Sequence, residues 1–237
     1  MAEARPGDDI EIWTGSPTRG TRLSYGFVRG LFLVVFKIVG RVEVIGAEKV
    51  PTTGAYVLAP VHRSNVDFAL SSLLTRRPMR YMGKDSIWKV RLLGRFVSML
   101  GAFPVHRGSA DRDALKACAD IVTGGSPLVM FPEGTRCTGP VVEELFDGTA
   151  YVAAKCGVPI IPVGIGGSEA MMPKGARFLH RSKLVLLIGD PIPAPDRTEA
   201  GRVPRSAVGS LTEQLHVELQ SLFDQAMALA GRPNPPR

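Results

Sequence analysis

Two short stretches hold residues whose types and spacing could do chemistry together. In His62-Arg63-Ser64-Asn65-Val66-Asp67 a base is followed by a carboxylate able to orient it. In Phe131-Pro132-Glu133-Gly134-Thr135-Arg136 a glycine turn carries a carboxylate, a hydroxyl and a guanidinium. An aspartate that accepts a hydrogen bond from one imidazole nitrogen fixes the tautomer and leaves the other nitrogen free as a base. A planar guanidinium fork suits a phosphate. Together the stretches describe a site that activates a hydroxyl beside an anionic substrate. The plainer alternatives are a solvent-facing histidine beside a capping aspartate, and a structural turn with a surface arginine.

The first chemistry needs a particular local structure. On a single helix, His62 and Asp67 would point in different directions; across a strand-to-helix turn they can meet. Residues 56–61, preceded by Pro51-Thr52-Thr53-Gly54, read as a short buried strand. Ser64 or Asn65 is a good N-cap, and Phe68-Ala69-Leu70 opens a helix continued by Leu73 and Leu74. Residues 127–131 read as a second buried strand. Pro132 cannot continue a central ladder and Gly134 permits an unusual backbone angle. Turns at the carboxyl ends of strands are where open α/β sheets place their sites. Arg107 follows a further strand-like segment and is a second candidate phosphate ligand; His106 beside it reads as incidental. Residues 157–165 have the apolar continuity of a buried strand. Residues 148–156 read as a helix ended by Gly157, 183–188 as a strand, and Met171 and Met172 as part of a loop. Leu211, Leu215, Leu219, Leu222 and Leu229 mark one face of a C-terminal amphipathic helix.

These blocks, in this order, resemble the glycerolipid acyltransferase family, in particular its 1-acyl-glycerol-3-phosphate acyltransferases, which form phosphatidic acid. The resemblance runs from residue 42 to about residue 192. It includes Val42-Glu43-Val44-Ile45-Gly46 at its start and Ile188-Gly189-Asp190-Pro191-Ile192 at its end. It implies that His62 is the general base and that Asp67 orients it. It further implies that Arg107 binds the acceptor phosphate, that Glu133, Gly134 and Arg136 hold its glycerol and phosphate portion, and that Thr135 supports that turn. Lys84, in Met82-Gly83-Lys84-Asp85-Ser86, matches a family lysine placed for phosphate. Lysophosphatidic acid would be the acceptor and acyl-CoA or acyl carrier protein the donor, with no cofactor, metal or acyl-enzyme intermediate. The chain departs from the family pattern at Val61 (usually Asn), His106 (commonly acidic) and Asp147 (frequently Lys).

Other chemistries find no support. Gly166-Gly167-Ser168-Glu169-Ala170 ends in Ala where a nucleophile elbow needs Gly, and there is no phosphate-loop signature. Cys118, Cys137 and Cys156 have no metal-ligand spacing. The alternatives are an acyltransferase for another acceptor (glycerol 3-phosphate, another lysophospholipid or a glycolipid), a thioesterase that admits water in place of an alcohol, and a non-catalytic membrane-binding member of the fold.

The 237 residues suit one large domain: an α/β architecture with a mixed, largely parallel central sheet flanked by helices and an N-terminal membrane-surface helix. We expect a polar segment over 1–24, the interfacial helix over 25–40, the acyltransferase domain over 41–230 and a disordered tail over 231–237. The polar, acidic start is unlike a signal peptide, and three cysteines suit a reduced compartment. The net charge is +7 and the sequence pI about 9.6. Between Arg76 and Arg95, bases alternate with Ile87, Trp88, Val90, Leu92 and Leu93, which suits an anionic membrane surface, a nucleotide or an acidic carrier; no nucleic-acid recognition motif is present. The most apolar stretch, 25–39, falls short of a membrane span and carries Arg29 and Lys37. It reads as a helix lying on the bilayer at the cytoplasmic face with its bases snorkelling, or else as a core helix.

Overall fold

The structure, a computed structural model, describes residues 18–105, 112–196 and 203–236. Seven strands form one sheet: β1 (Glu43–Ile45), β2 (Val57–Pro60), β3 (Arg80–Lys84), β4 (Ala102–Val105), β5 (Leu128–Val129), β6 (Ile160–Gly166) and β7 (Val185–Ile188). Their order is β1-β7-β6-β2-β5-β3-β4. All neighbours are parallel except β6 and β7. The expected mixed, largely parallel sheet is therefore present. Strands β2 and β6 are buried along their whole length, which is why they read as unbroken apolar runs rather than alternating ones. Strand β4 lies at an edge and alternates, and its Pro104 is tolerated there.

Two groups of helices flank the sheet. Helix α1 (Arg19–Gly40) packs on α2 (Asp67–Ser71) and α3 (Arg91–Met99). Helix α5 (Gly148–Cys156) packs on α4 (Arg112–Thr123) and on the C-terminal helix α7 (Arg205–Leu229), which lies along β6 and β7. A short helix, α6 (Ser168–Met171), follows β6. Helix α5 has the bounds its sequence suggests, closed by Gly157 at φ 69°. The α7 face that buries Leu211, Leu215, Leu219 and Leu222 also takes in Val208, Phe223 and Ala226; Leu229, the final helical residue, is half exposed.

Two expectations need correction. Helix α1 starts at Arg19, six residues before the apolar run, because the Thr18 hydroxyl accepts from the Thr21 amide and caps a polar first turn. Its 22 residues make it long and apolar enough to cross a membrane by length and composition. Arg29 does not reach toward solvent. Its guanidinium donates to the carbonyls of Ser72, Leu73 and Thr75, satisfying the free end of the helical segment that follows β2. In the tail, Asn234 donates to the Asp224 carboxylate at 2.7 Å.

Helix α7 approaches the backbone of β6 closely at two glycines. A Cβ on Gly164 would lie 2.3 Å from the Leu222 carbonyl oxygen, and one on Gly166 would lie 2.2 Å from that of Ala226. We predict that Gly164→Ala forces α7 off the sheet. It should cost about 2 kcal/mol and lower Tm by roughly 4–8 °C in a thermal denaturation scan. An unchanged Tm would mean that α7 is not seated as described.

Candidate active site

Strands β2 and β5 are hydrogen-bonded neighbours, with Leu58 paired to Val129. His62 lies four residues beyond the one and Glu133 four beyond the other, so in-register parallel strands deliver both to the same end of the sheet. This is the carboxyl end, where open α/β folds place their sites. Backbone links join the two turns directly: the Glu133 carboxylate accepts from the His62 amide at 3.0 Å, and the Cys137 amide donates to the His62 carbonyl at 2.9 Å.

The His62–Asp67 pair forms as the spacing predicts. Nδ1 of His62 lies 3.1 Å from Oδ2 of Asp67. The same oxygen accepts from the Arg63 and Ser64 amides, each at 2.6 Å. An oxygen accepting from two amides serves as an acceptor, so the shared proton sits on Nδ1 and the lone pair is left on Nε2. Helix α2 starts at Asp67 without a side-chain cap. Neither Ser64 nor Asn65 serves as expected; Asp67 folds back on the turn that precedes it. The imidazole stacks on Phe131, with ring centroids 4.0 Å apart, and keeps a partly open edge. Among the described residues no protein group bonds Nε2.

Sequence reasoning passed over Arg63. This guanidinium is buried and donates to Glu133 Oε2 at 2.7 Å, to the Val141 carbonyl at 2.8 Å and to the His62 carbonyl at 3.2 Å. It also lies over the Phe223 ring at 4.9 Å. A charged residue between two candidate catalytic ones, facing an acid in the second stretch, was the available signal. Glu133 is correspondingly occupied. With no side-chain exposure, one oxygen takes the His62 amide and the other takes Arg63 and, at 3.3 Å, the Glu143 amide. The resemblance implies a glycerol-holding role for Glu133; in this geometry its buried carboxylate joins the two turns.

The rest of the second turn faces outward. Gly134 adopts φ 65°, and a Cβ there would meet the Phe146 ring at 2.8 Å, so glycine is needed on two counts. Thr135 is exposed and Arg136 half-buried, and neither side chain has a partner among the described residues. Lys84 closes β3 at the same end of the sheet. Arg107 lies outside the described residues, as does His106. Asp147, one of the departures from the family pattern, accepts from the Thr212 hydroxyl at 2.8 Å and so ties α5 to α7. Val61 is buried in the core. Among the described residues no group of His, Cys, Asp and Glu side chains could hold a metal.

A family model described as Acyltransferase matches residues 41–166. The chain belongs to the acyltransferase family. The 1-acyl-sn-glycerol-3-phosphate acyltransferase of Bacillus subtilis is 26% identical over 205 residues, spanning 85% of this chain and 99% of that one. The enzyme of that name from Streptococcus pneumoniae is 26% identical over 222 residues, spanning 91% and 80%. A chloroplastic relative from Brassica napus is 29% identical over 157 residues, but this chain covers only 45% of its length. The crystal structure of the 1-acyl-sn-glycerophosphate acyltransferase from Thermotoga maritima matches with a TM-score of 0.70 at 21% identity, covering 85% of this chain and 80% of that one. It shares the fold.

Cys137 is the one thiol of this acyltransferase next to the site. Burial raises its pKa to about 11, and the neighbouring Glu133 carboxylate pushes the same way. A thiol that stays protonated at neutral pH is a poor nucleophile, which disfavours an acyl-cysteine intermediate. We predict that at pH 8.5 iodoacetamide labels Cys137 at least about fifty-fold more slowly than an unperturbed thiol; peptide mass mapping reads this, and an ordinary rate would contradict it. We also predict that Arg63→Met, which strands a buried carboxylate, destabilises by about 3–5 kcal/mol. Adding Glu133→Gln should recover part of that loss in denaturant unfolding. Strictly additive losses would show that the two charges are not coupled.

Proposed function

We propose that the chain transfers a fatty acyl group from an acyl thioester to the free hydroxyl of 1-acyl-glycerol 3-phosphate, giving phosphatidic acid. The observation that carries this reading is the His62 imidazole at the carboxyl end of the sheet, held through Nδ1 by Asp67 and with no partner on Nε2 among the described residues. In the step, Nε2 takes the proton of the acceptor hydroxyl as its oxygen attacks the thioester carbonyl. The carbon–sulfur bond then breaks and the departing thiolate receives that proton from His62. No enzyme acyl bond forms. Asp67 stabilises the imidazolium while it exists. Coenzyme A or acyl carrier protein supplies the thioester.

The acceptor assignment is supported by the names of the relatives and by the Arg136 guanidinium, which has no partner among the described residues, on the turn that carries Gly134 and Thr135. Lys84 and Arg107 are assigned to the same phosphate by their place in the family pattern. An anion held by cations beside the base brings the hydroxyl to Nε2, and such positioning contributes much of the rate.

Membrane attachment belongs to the same reading. Helix α1 buries Tyr25, Val28 and Phe36 against the domain but leaves Leu23, Phe27, Leu31, Val34 and Ile38 exposed along a second stripe. Helix α3 adds exposed Leu92, Leu93, Phe96 and Met99, with Arg91 and Arg95 exposed beside them. An apolar surface of that extent marks a lipid or protein contact. Arg29 pins α1 to the domain at mid-length, so the helix lies along the bilayer surface rather than crossing it. A product with two acyl chains is then released into lipid. We place the site at the cytoplasmic face, where acyl donors are found.

The experiment is product analysis of the purified protein in liposomes with lysophosphatidic acid and palmitoyl-coenzyme A. Phosphatidic acid should form, and His62→Ala should lower kcat by about 10²–10⁴-fold. Arg136→Ala should raise KM for the acceptor by roughly ten-fold or more. Undiminished turnover in His62→Ala would contradict the base. Free fatty acid in place of a diacyl product would make the chain a thioesterase.

A further inference from the structure

The segment between α6 and β7 is not used by the chemistry above, yet it is built as a closed loop at the rim of the site. Its near end is held where the Ser64 hydroxyl, two residues from His62, donates to the Met172 carbonyl at 2.8 Å. The His180 amide returns to the Met171 carbonyl at 2.8 Å, and the Ser182 hydroxyl bonds the Gly167 carbonyl at 2.9 Å. Between these ties, a turn from Pro173 to Ala176 with Gly175 at φ 89° carries the chain outward. A loop with pinned ends presents a fixed tip.

The tip has an unusual composition. Phe178 is 79% exposed and Leu179 38%. Lys174, Arg177, His180 and Arg181 surround them, all exposed, and among the described residues none of the four pairs with a carboxylate. No acidic residue occurs between Glu169 and Asp190. Both stems abut the C-terminal end of α1: a Cβ on Gly40 would touch Leu184 and Met171, and the Leu184 amide bonds the Gly40 carbonyl. The exposed stripe of α1 ends beside them at Ile38, itself 69% exposed.

We propose that residues 172–182 form a second lipid contact, in which Phe178 enters an anionic bilayer and Arg177 and Arg181 bind its headgroup phosphates. This rests on the membrane attachment proposed above and adds its orientation. An aromatic ring framed by cations fits the interfacial zone, where the ring leaves water while the cations stay with the phosphates. The contact sets the His62 end of the sheet, tied to this loop through Ser64, against the lipid surface, so acceptor and product exchange with the bilayer over a short path.

The test uses the full chain and vesicles of phosphatidylcholine with phosphatidylglycerol. Phe178→Trp should gain a blue-shifted emission on vesicle addition and should be quenched by lipids brominated on their acyl chains. Arg177→Gln with Arg181→Gln should lower the vesicle partition coefficient by about ten-fold or more. Turnover of a short-chain, monomeric lysophosphatidate should be unchanged in that variant. If wild type does not bind vesicles, the membrane reading itself fails. If wild type binds while the new tryptophan is neither shifted nor quenched, the loop proposal alone is overturned. It is equally overturned if the double variant binds vesicles normally but shows a raised KM for acyl-coenzyme A, which would make the patch a nucleotide site.

Discussion

The carboxylate of Glu133 is the joint on which the site depends. Two turns leave adjacent strands, and nothing in a parallel ladder fixes what happens beyond the last paired residues. Glu133 fixes it by accepting the His62 amide with one oxygen and the Arg63 guanidinium with the other. The position of the His62 backbone is thereby set by a residue seventy-one places away. Once that backbone is placed, Asp67 needs only to fold back on the Arg63 and Ser64 amides to meet the imidazole.

A buried ion pair is a poor source of stability, because removing two charges from water costs several kcal/mol per ion. Its value here is geometric. Arg63 has further partners in the Val141 and His62 carbonyls and the Phe223 ring, so with Glu133 the guanidinium has four partners and in turn holds Glu133. Phe223 belongs to α7, and α7 sits on β6 by way of glycines that admit its backbone. The C-terminal helix is therefore part of what aligns a base more than one hundred and fifty residues earlier in the chain. Catalytic groups mounted on rigid elements and locked by such a surrounding layer lose little to misalignment.

Much of this was legible in the sequence because it is local. The His62–Asp67 pair follows from a strand-to-helix turn that spacing alone suggests. The turn at Gly134 and the helix end at Gly157 follow from residues that tolerate positive φ. The sheet class follows from apolar runs of strand length. What escaped was set by partners distant in sequence. Arg29 in an apolar helix reads as a residue seeking headgroups, because the carbonyls it caps lie forty-three and more residues later. The link that Glu133 makes between the two turns is hidden until Arg63 is seen against it. The first turn of α1 is polar, so hydropathy hides it, and only the Thr18 cap marks the true start. In each case the physics was ordinary and the missing information was tertiary.

Asp67 holds His62 with its proton on Nδ1 and its lone pair on Nε2. The most direct measurement is long-range ¹H–¹⁵N correlation of the imidazole above its titration range, with His62 assigned by the loss of its signals in His62→Gln. The chain has four histidines, so the assignment is tractable. The Nδ1–H tautomer is expected at His62, and Asp67→Asn should weaken that preference. An Nε2–H tautomer in the wild-type protein would leave the reactive edge without a lone pair and would contradict the assignment of the base.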